Sequence, residues 1–225
     1  MKLRQNFSLK ISILASLLLL FNLNIFCVIF GNGSGGGYGN GEDSENSSGG
    51  RVGNIVIEMY VIEGARYFLN VNSDIMTFLN RVESTGFAGM DFVECQQILD
   101  RALQNMQYAA AIYDCLIWLA EMTPYNEEVI AKLAAFDYTG FMMEKGLNGN
   151  IFEEVEGYLL NGDITGVYKN ISARFKTILD KITYIKGDIN SGKFPALSQC
   201  WELSETCCQT LLFGQYVSRV FYAIQ

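Results

Sequence analysis

Six cysteines, at positions 27, 95, 115, 200, 207 and 208, are the most reactive side chains in this sequence. No two of them form a C-x-x-C pair, so the chain has neither a dithiol redox motif nor the paired ligands of a four-cysteine zinc site. Histidine is absent from all 225 residues. That excludes Ser-His and Cys-His nucleophile pairs, as well as histidine-ligated zinc, haem and di-iron centres. The chemistry left to the cysteines is pairing with one another. Cys95 and Cys115 fall on one predicted helix, about 30 Å apart at the helical rise. Cys200, Cys207 and Cys208 fall on another, with about 10 Å between Cys200 and Cys207. A disulfide needs Cα atoms within about 7 Å, so two straight helices admit one bridge at most. Cys95 is its favoured member on the first helix because it lies in the apolar seam.

Other constellations carry less. Glu153, Glu154 and Glu156, or Glu202 with Glu205, would suit glycoside cleavage only if two carboxyls faced one cleft. Their spacing puts them on a solvated helix face instead. Gly187-Asp188-Ile189-Asn190-Ser191-Gly192 begins like a calcium loop, but Gly192, Lys193 and Gln199 stand where ligands, glycine and glutamate are required. Gly35-Gly36-Gly37 lacks the lysine of a phosphate loop. Neither a metal nor a cofactor is expected. Lys169, Arg174, Lys176, Lys181 and Lys186 make one segment basic within an acidic chain of net charge −8. This is a candidate docking surface for an anionic partner or membrane headgroups, or else a solvated face paired with acidic neighbours. The overall negative charge argues against nucleic acid, whose phosphates demand clustered cations.

The elements that position these residues begin with an export pattern. Lys2, Arg4 and Lys10 precede an uncharged apolar run from Ile11 to Phe30. Residues 1–33 read as a signal peptide ending at Gly31-Asn32-Gly33, or as an N-terminal membrane anchor. Residues 34–50, rich in Gly and Ser, read as a flexible linker. An extracytoplasmic domain then occupies 51–225, long enough to fill one core.

Within it, Phe92, Cys95, Leu99, Ala102, Met106, Ala109, Tyr113, Leu116 and Ala120 alternate spacings of three and four. That predicts a long helix over 91–122, capped by Asp91 and stopped before Pro124. The same rhythm over 163–186 marks Ile164, Tyr168, Ile171, Phe175, Ile178, Ile182 and Ile185. A third long helix is expected over 54–84, with Ile55, Met59, Ile62, Leu69, Met76, Leu79 and Val82 inward and Gly64 as a weak point. Shorter helices are expected at 126–145 and 150–160, and a last long one at 196–224, apolar around much of its girth. Gly-Asn/Asp-Ile recurs at Gly53, Gly149, Gly162 and Gly187, and reads as a stop-and-cap turn.

These features predict an all-α antiparallel bundle of about four long helices with one or two short ones. The expected function is that of an exported, non-catalytic binding or assembly module. It would engage a protein partner or a second copy of itself, with membrane contact through its N-terminal segment. The competing reading, a membrane-active or pore-type helical protein, rests on the apolar segment Thr210 to Ile224 and on the 13% aromatic content.

Overall fold

Wherever the chain is described, its regular structure is helical. The structure, a computed structural model, describes residues 47–224 apart from 87, 88, 90, 123 and 124, with side-chain surroundings from residue 59 onward. The signal or anchor segment, Cys27, most of the linker and Pro124 lie outside the described residues. The described helices are α1 (Ser47–Thr85), α2 (Phe92–Met122), α3 (Glu127–Ala134), α4 (Tyr138–Lys145), α5 (Gly149–Leu159), α6 (Ile164–Asn190) and α7 (Leu197–Ala223). The fold is an all-α bundle, with α1, α2, α6 and α7 as its long members. The first residues of α1 fall inside the stretch whose composition suggests linker.

Short helices number three here rather than one or two, because 126–145 is broken. Its start and stop follow the sequence: Asn126 accepts from Glu128 N, and Gly146 closes α4 in the left-handed region at φ 59°. The break arises at Asp137, whose Oδ1 accepts from Gly140 N at 2.9 Å and so starts a new helix. Gly140 permits this, since a Cβ there would stand 2.2 Å from the Asp137 carboxylate. Upstream, the Leu133 carbonyl is taken by the buried Tyr138 hydroxyl at 3.0 Å.

The recurring Gly-Asn/Asp-Ile signal acts as expected at one site only. Gly162 is left-handed (φ 65°), Asp163 N donates back to Tyr158 O, and Asp163 caps α6 through Gly166 N at 2.7 Å. Gly53 and Gly187 instead lie inside α1 and α6, and Asn148 rather than Asn150 caps α5. Helix α6 runs past Gly187 to Asn190, and Gly192, at φ 72°, closes the turn that follows it.

The chain gathers into two units. The four-helix unit comprises Glu63–Asp114 and Lys169–Leu211. Here α1 and α2 run antiparallel, shown by contacts recurring one heptad apart in opposite senses: Arg81 with Glu94 at 2.9 Å, Asp74 with Arg101 at 3.1 Å, and Tyr67 against Tyr108 at 5.2 Å. Helix α6 is antiparallel to α2 in turn, through Asn190 to Gln96 at 3.1 Å and Ser172 to Asp114 at 3.0 Å. Phe175 joins three helices, lying 4.6 Å from the Phe68 ring and 4.9 Å from that of Tyr113. The α6 stripe is buried at every predicted position, and the α2 seam from Cys95 to Ala120 likewise.

On α1 the expected residues Met76, Leu79 and Val82 are buried, but the first half of the inward row differs. There Val61 and Phe68 are buried, while Met59 is exposed and Ile62 and Leu69 are half-buried. Two adjacent rows on α1 are apolar, so periodicity alone cannot select between them; the aromatic contact of Phe68 with Phe175 does. Gly64 is no weak point either. A Cβ on it would stand 2.7 Å from Tyr113 Cε2, so glycine is what lets α2 approach α1 here.

The short-helix unit comprises Cys115–Tyr168, Leu212–Gln225 and the chain up to Ile62. Phe152 packs edge-on to Tyr216 at 5.8 Å, and the Tyr216 hydroxyl accepts from Asn148 N at 2.9 Å. Phe136, Tyr138 and Phe141 complete this aromatic cluster. On α7, Phe213, Gln215, Tyr216, Val217, Ser218, Val220 and Phe221 are buried around most of the helix. The apolar C-terminal segment is thus used as core. Among the described residues no helix is long and apolar enough to cross a membrane.

Two substitutions test this packing. Gly64→Ala gains about 1 kcal/mol of helix propensity, but overpacking against the buried Tyr113 ring costs about 1–3 kcal/mol. Urea denaturation should therefore show net destabilisation; a gain in stability would contradict the close approach. The buried Gln215 Nε2 has no hydrogen-bond partner. Gln215→Leu should stabilise the protein by about 1 kcal/mol by removing that cost, and a lower midpoint would contradict it.

Candidate docking surface

The basic row of α6 is built from the same periodicity as its buried stripe, offset around the helix. Its cations are engaged within the four-helix unit. Lys176 lies 3.8 Å from Asp114, Lys181 is 3.0 Å from Glu202, and Lys186 pairs with Asp100. Arg174 Nε donates to Asn170 one turn back at 2.7 Å, and Lys169 also has an interaction. Solvated pairs of this kind contribute about 0–1 kcal/mol each. Their larger effect is to neutralise the row, so three of the five cations tie α6 to α2 and α7. Each of the five cations expected from sequence to form a docking surface is thus engaged within the protein.

The carboxylates stand as the sequence suggests. Glu153, Glu202 and Glu205 are exposed, while Glu154 and Glu156 are half-buried on α5. Glu202 is occupied by Lys181, and Gln209 donates to Glu205 at 3.2 Å.

The thiols divide by burial. Cys95, Cys200 and Cys207 are buried, Cys208 is half-buried and Cys115 is exposed; none is joined to another. Burial pushes the Cys200 thiol up to about 11, with the neighbouring Cys95 adding to the rise. Burial raises Cys95, Cys207 and Cys208 as well. Thiols held protonated are poor nucleophiles.

Sequence reasoning missed the outer face of α2. Trp118 is 59% exposed and Met122 is 68% exposed, one helical turn apart on the same side. Cys115 is exposed on that side, one turn before Trp118. The inward seam of this helix passes through Leu116 and Ala120, which are buried, so the outward residues play no part in that core. A signal was available: Trp118 and Met122 are large apolar residues at i, i+4 that miss the inward seam. An isolated exposed apolar side chain is ordinary, but a tryptophan and a methionine in one turn are typical interface anchors.

The raised thiols predict the alkaline behaviour. Above about pH 9.0, the ordinary thiol value, the unfolded chain releases protons that the folded chain retains at Cys200 until about pH 11. The unfolded state then binds fewer protons, so folding stability falls as pH rises through this window. The burial-raised Tyr113 and Tyr138 add to the same trend at higher pH. Urea midpoints of reduced protein should therefore decline from pH 8.5 to 10.5; a flat or rising profile would show that these groups are not buried. Set beside protein-family models, curated proteins and solved structures, the chain matches none of them.

Proposed function

We propose that the chain is an exported, non-catalytic helical-bundle module that binds a protein partner through the outer face of α2. The observation that carries this reading is the exposure of Trp118 and Met122 within one turn. Tryptophan in an interface core supplies large rigid contact area at low entropic cost, and solvent-exposed methionine adapts to the partner's shape. The basic n-region followed by the apolar run 11–30 supports export, and the glycine-rich stretch after it supports a tethered domain. The absence of histidine and of C-x-x-C from the sequence supports a role without covalent or acid–base catalysis. The membrane-active alternative loses its main support, because the apolar residues of α7 are spent inside the core.

A photo-reactive amino acid placed at 118 or 122 of the full chain, expressed in its native cell, tests the proposal. Cross-linking from both positions should give one common protein adduct, and the same group at exposed Glu153 should not. Trp118→Ser combined with Met122→Ser should reduce capture from a neighbouring position at least tenfold while leaving the helical circular dichroism unchanged. Adducts to lipid alone, or equal capture from position 153, would overturn the proposal.

A further inference from the structure

Cys95 and Cys200 belong to different helices, and the helix registers bring them to one level. Asp74 meets Arg101 across the antiparallel α1–α2 pair, so Met76 stands level with Leu99. The Ser204 hydroxyl reaches Met76 Sδ at 3.3 Å, which puts Ser204 of α7 at that same level. Helices α2 and α7 run in the same direction, because Phe194, just before α7, packs on Phe92 at the start of α2, while Ser204 stands level with Leu99 further along it. One turn back along both, Cys95 is therefore level with Cys200.

Two further contacts fix this end of the four-helix unit. Phe194, just before α7, packs on Phe92 at 5.3 Å, and Asn190 at the end of α6 bonds Gln96 at 3.1 Å. Cys200 lies in the first turn of α7, where its N–H reaches the Ala196 carbonyl at 3.3 Å. Both thiols are 1% exposed and so turn toward the shared interior. The contribution of Cys95 to the rise of the Cys200 thiol agrees with their proximity. Cys207 is level with Ala102 on α2, not with a cysteine, and Cys115 lies about 30 Å further along α2.

We propose that Cys95 and Cys200 are a built disulfide site: in an oxidising compartment they close a bridge between the starts of α2 and α7. The oxidant is a small-molecule or protein disulfide, and oxidised glutathione serves as the example. One of the two thiols gives its proton to solvent and, as thiolate, attacks a glutathione sulfur; a mixed disulfide forms and one glutathione thiolate leaves. The second cysteine, likewise deprotonated, attacks the protein sulfur of that mixed disulfide and releases the second glutathione. Two protein thiols are oxidised and one glutathione disulfide is reduced. Burial keeps the thiolate fraction low, so the reaction passes through opening of the first turn of α7, at an end of that helix where local opening is cheapest. Its occurrence in the cell rests on the export reading above, whereas the chemistry of the pair does not.

The test uses the full chain, unfolded in reductant and refolded in a glutathione redox buffer at mildly alkaline pH, then alkylated without reduction. Digestion at Lys, Arg and Glu separates Cys200 from Cys207 and Cys208, because Glu202 and Glu205 stand between them. The expected result is one cross-linked peptide pair joining Cys95 to Cys200, with Cys27, Cys115, Cys207 and Cys208 alkylated. Oxidation should raise Tm by about 10 °C, as expected for a bridge closing a loop of about 100 residues. Cys95→Ser and Cys200→Ser should each abolish that oxidant-dependent rise, whereas Cys207→Ala, even if less stable at the outset, should keep it. Refolded protein that retains all its thiols, or that bridges Cys95 to Cys207 or Cys208, would overturn the proposal. Neither result would bear on partner capture at Trp118, so failure here is distinguishable from failure of the proposed function.

Discussion

The bundle depends on how closely α2 can approach α1, and that distance is set where the Tyr113 ring lies against the bare backbone of Gly64. Any side chain there would push the helices apart. Because the ring also packs on Phe175, which in turn touches Phe68, the same point holds α6 in place. The heptad ladder from Tyr67–Tyr108 to Arg81–Glu94 then follows with little freedom, since shifting it by one turn would place a bulky residue under the ring. Its ion pairs are solvated and add little energy. They mark a register that the interior has already selected.

A consequence of that register is the division of labour around α2. Its seam from Cys95 to Ala120 faces inward and is consumed by packing, and its acidic residues Asp100 and Asp114 are consumed by the lysines of α6. What remains outward near its end is Trp118 with Met122. The cations of α6 are compensated, and the interior thiols are held protonated by burial.

Much of this architecture was readable from spacing. The stripes of α2 and α6 came through at nearly every position because an apolar residue recurs at each three- or four-residue step along them. Helix α1 misled in its first half because Ile62 and Leu69 lie beside Val61 and Phe68, and both rows are apolar; only a partner distinguishes them. Gly64 looked like a defect because glycine is poor within a helix, and its reason is a ring on another helix, far away in sequence. The break at Asp137 was hidden for a related cause. Asp capping a helix and Asp inside one look alike until Gly140 is seen to make room for the carboxylate. The docking surface divided similarly: the basic row was visible as a charge pattern, but its neutralisation required Asp100, Asp114 and Glu202 to be brought opposite. Trp118 escaped notice because attention to an inward seam leaves the other face unread.

The central claim is the contact that sets this register, and nuclear Overhauser spectroscopy of the full chain reads it directly. Strong cross-peaks are expected from the Tyr113 ring protons to the Gly64 Hα pair, with those Hα resonances shifted upfield by the ring, and further cross-peaks to Phe175. Cross-peaks from Tyr113 to residues one helical turn away, at Tyr60 or Phe68, with none to Gly64, would contradict the register and the bundle built on it.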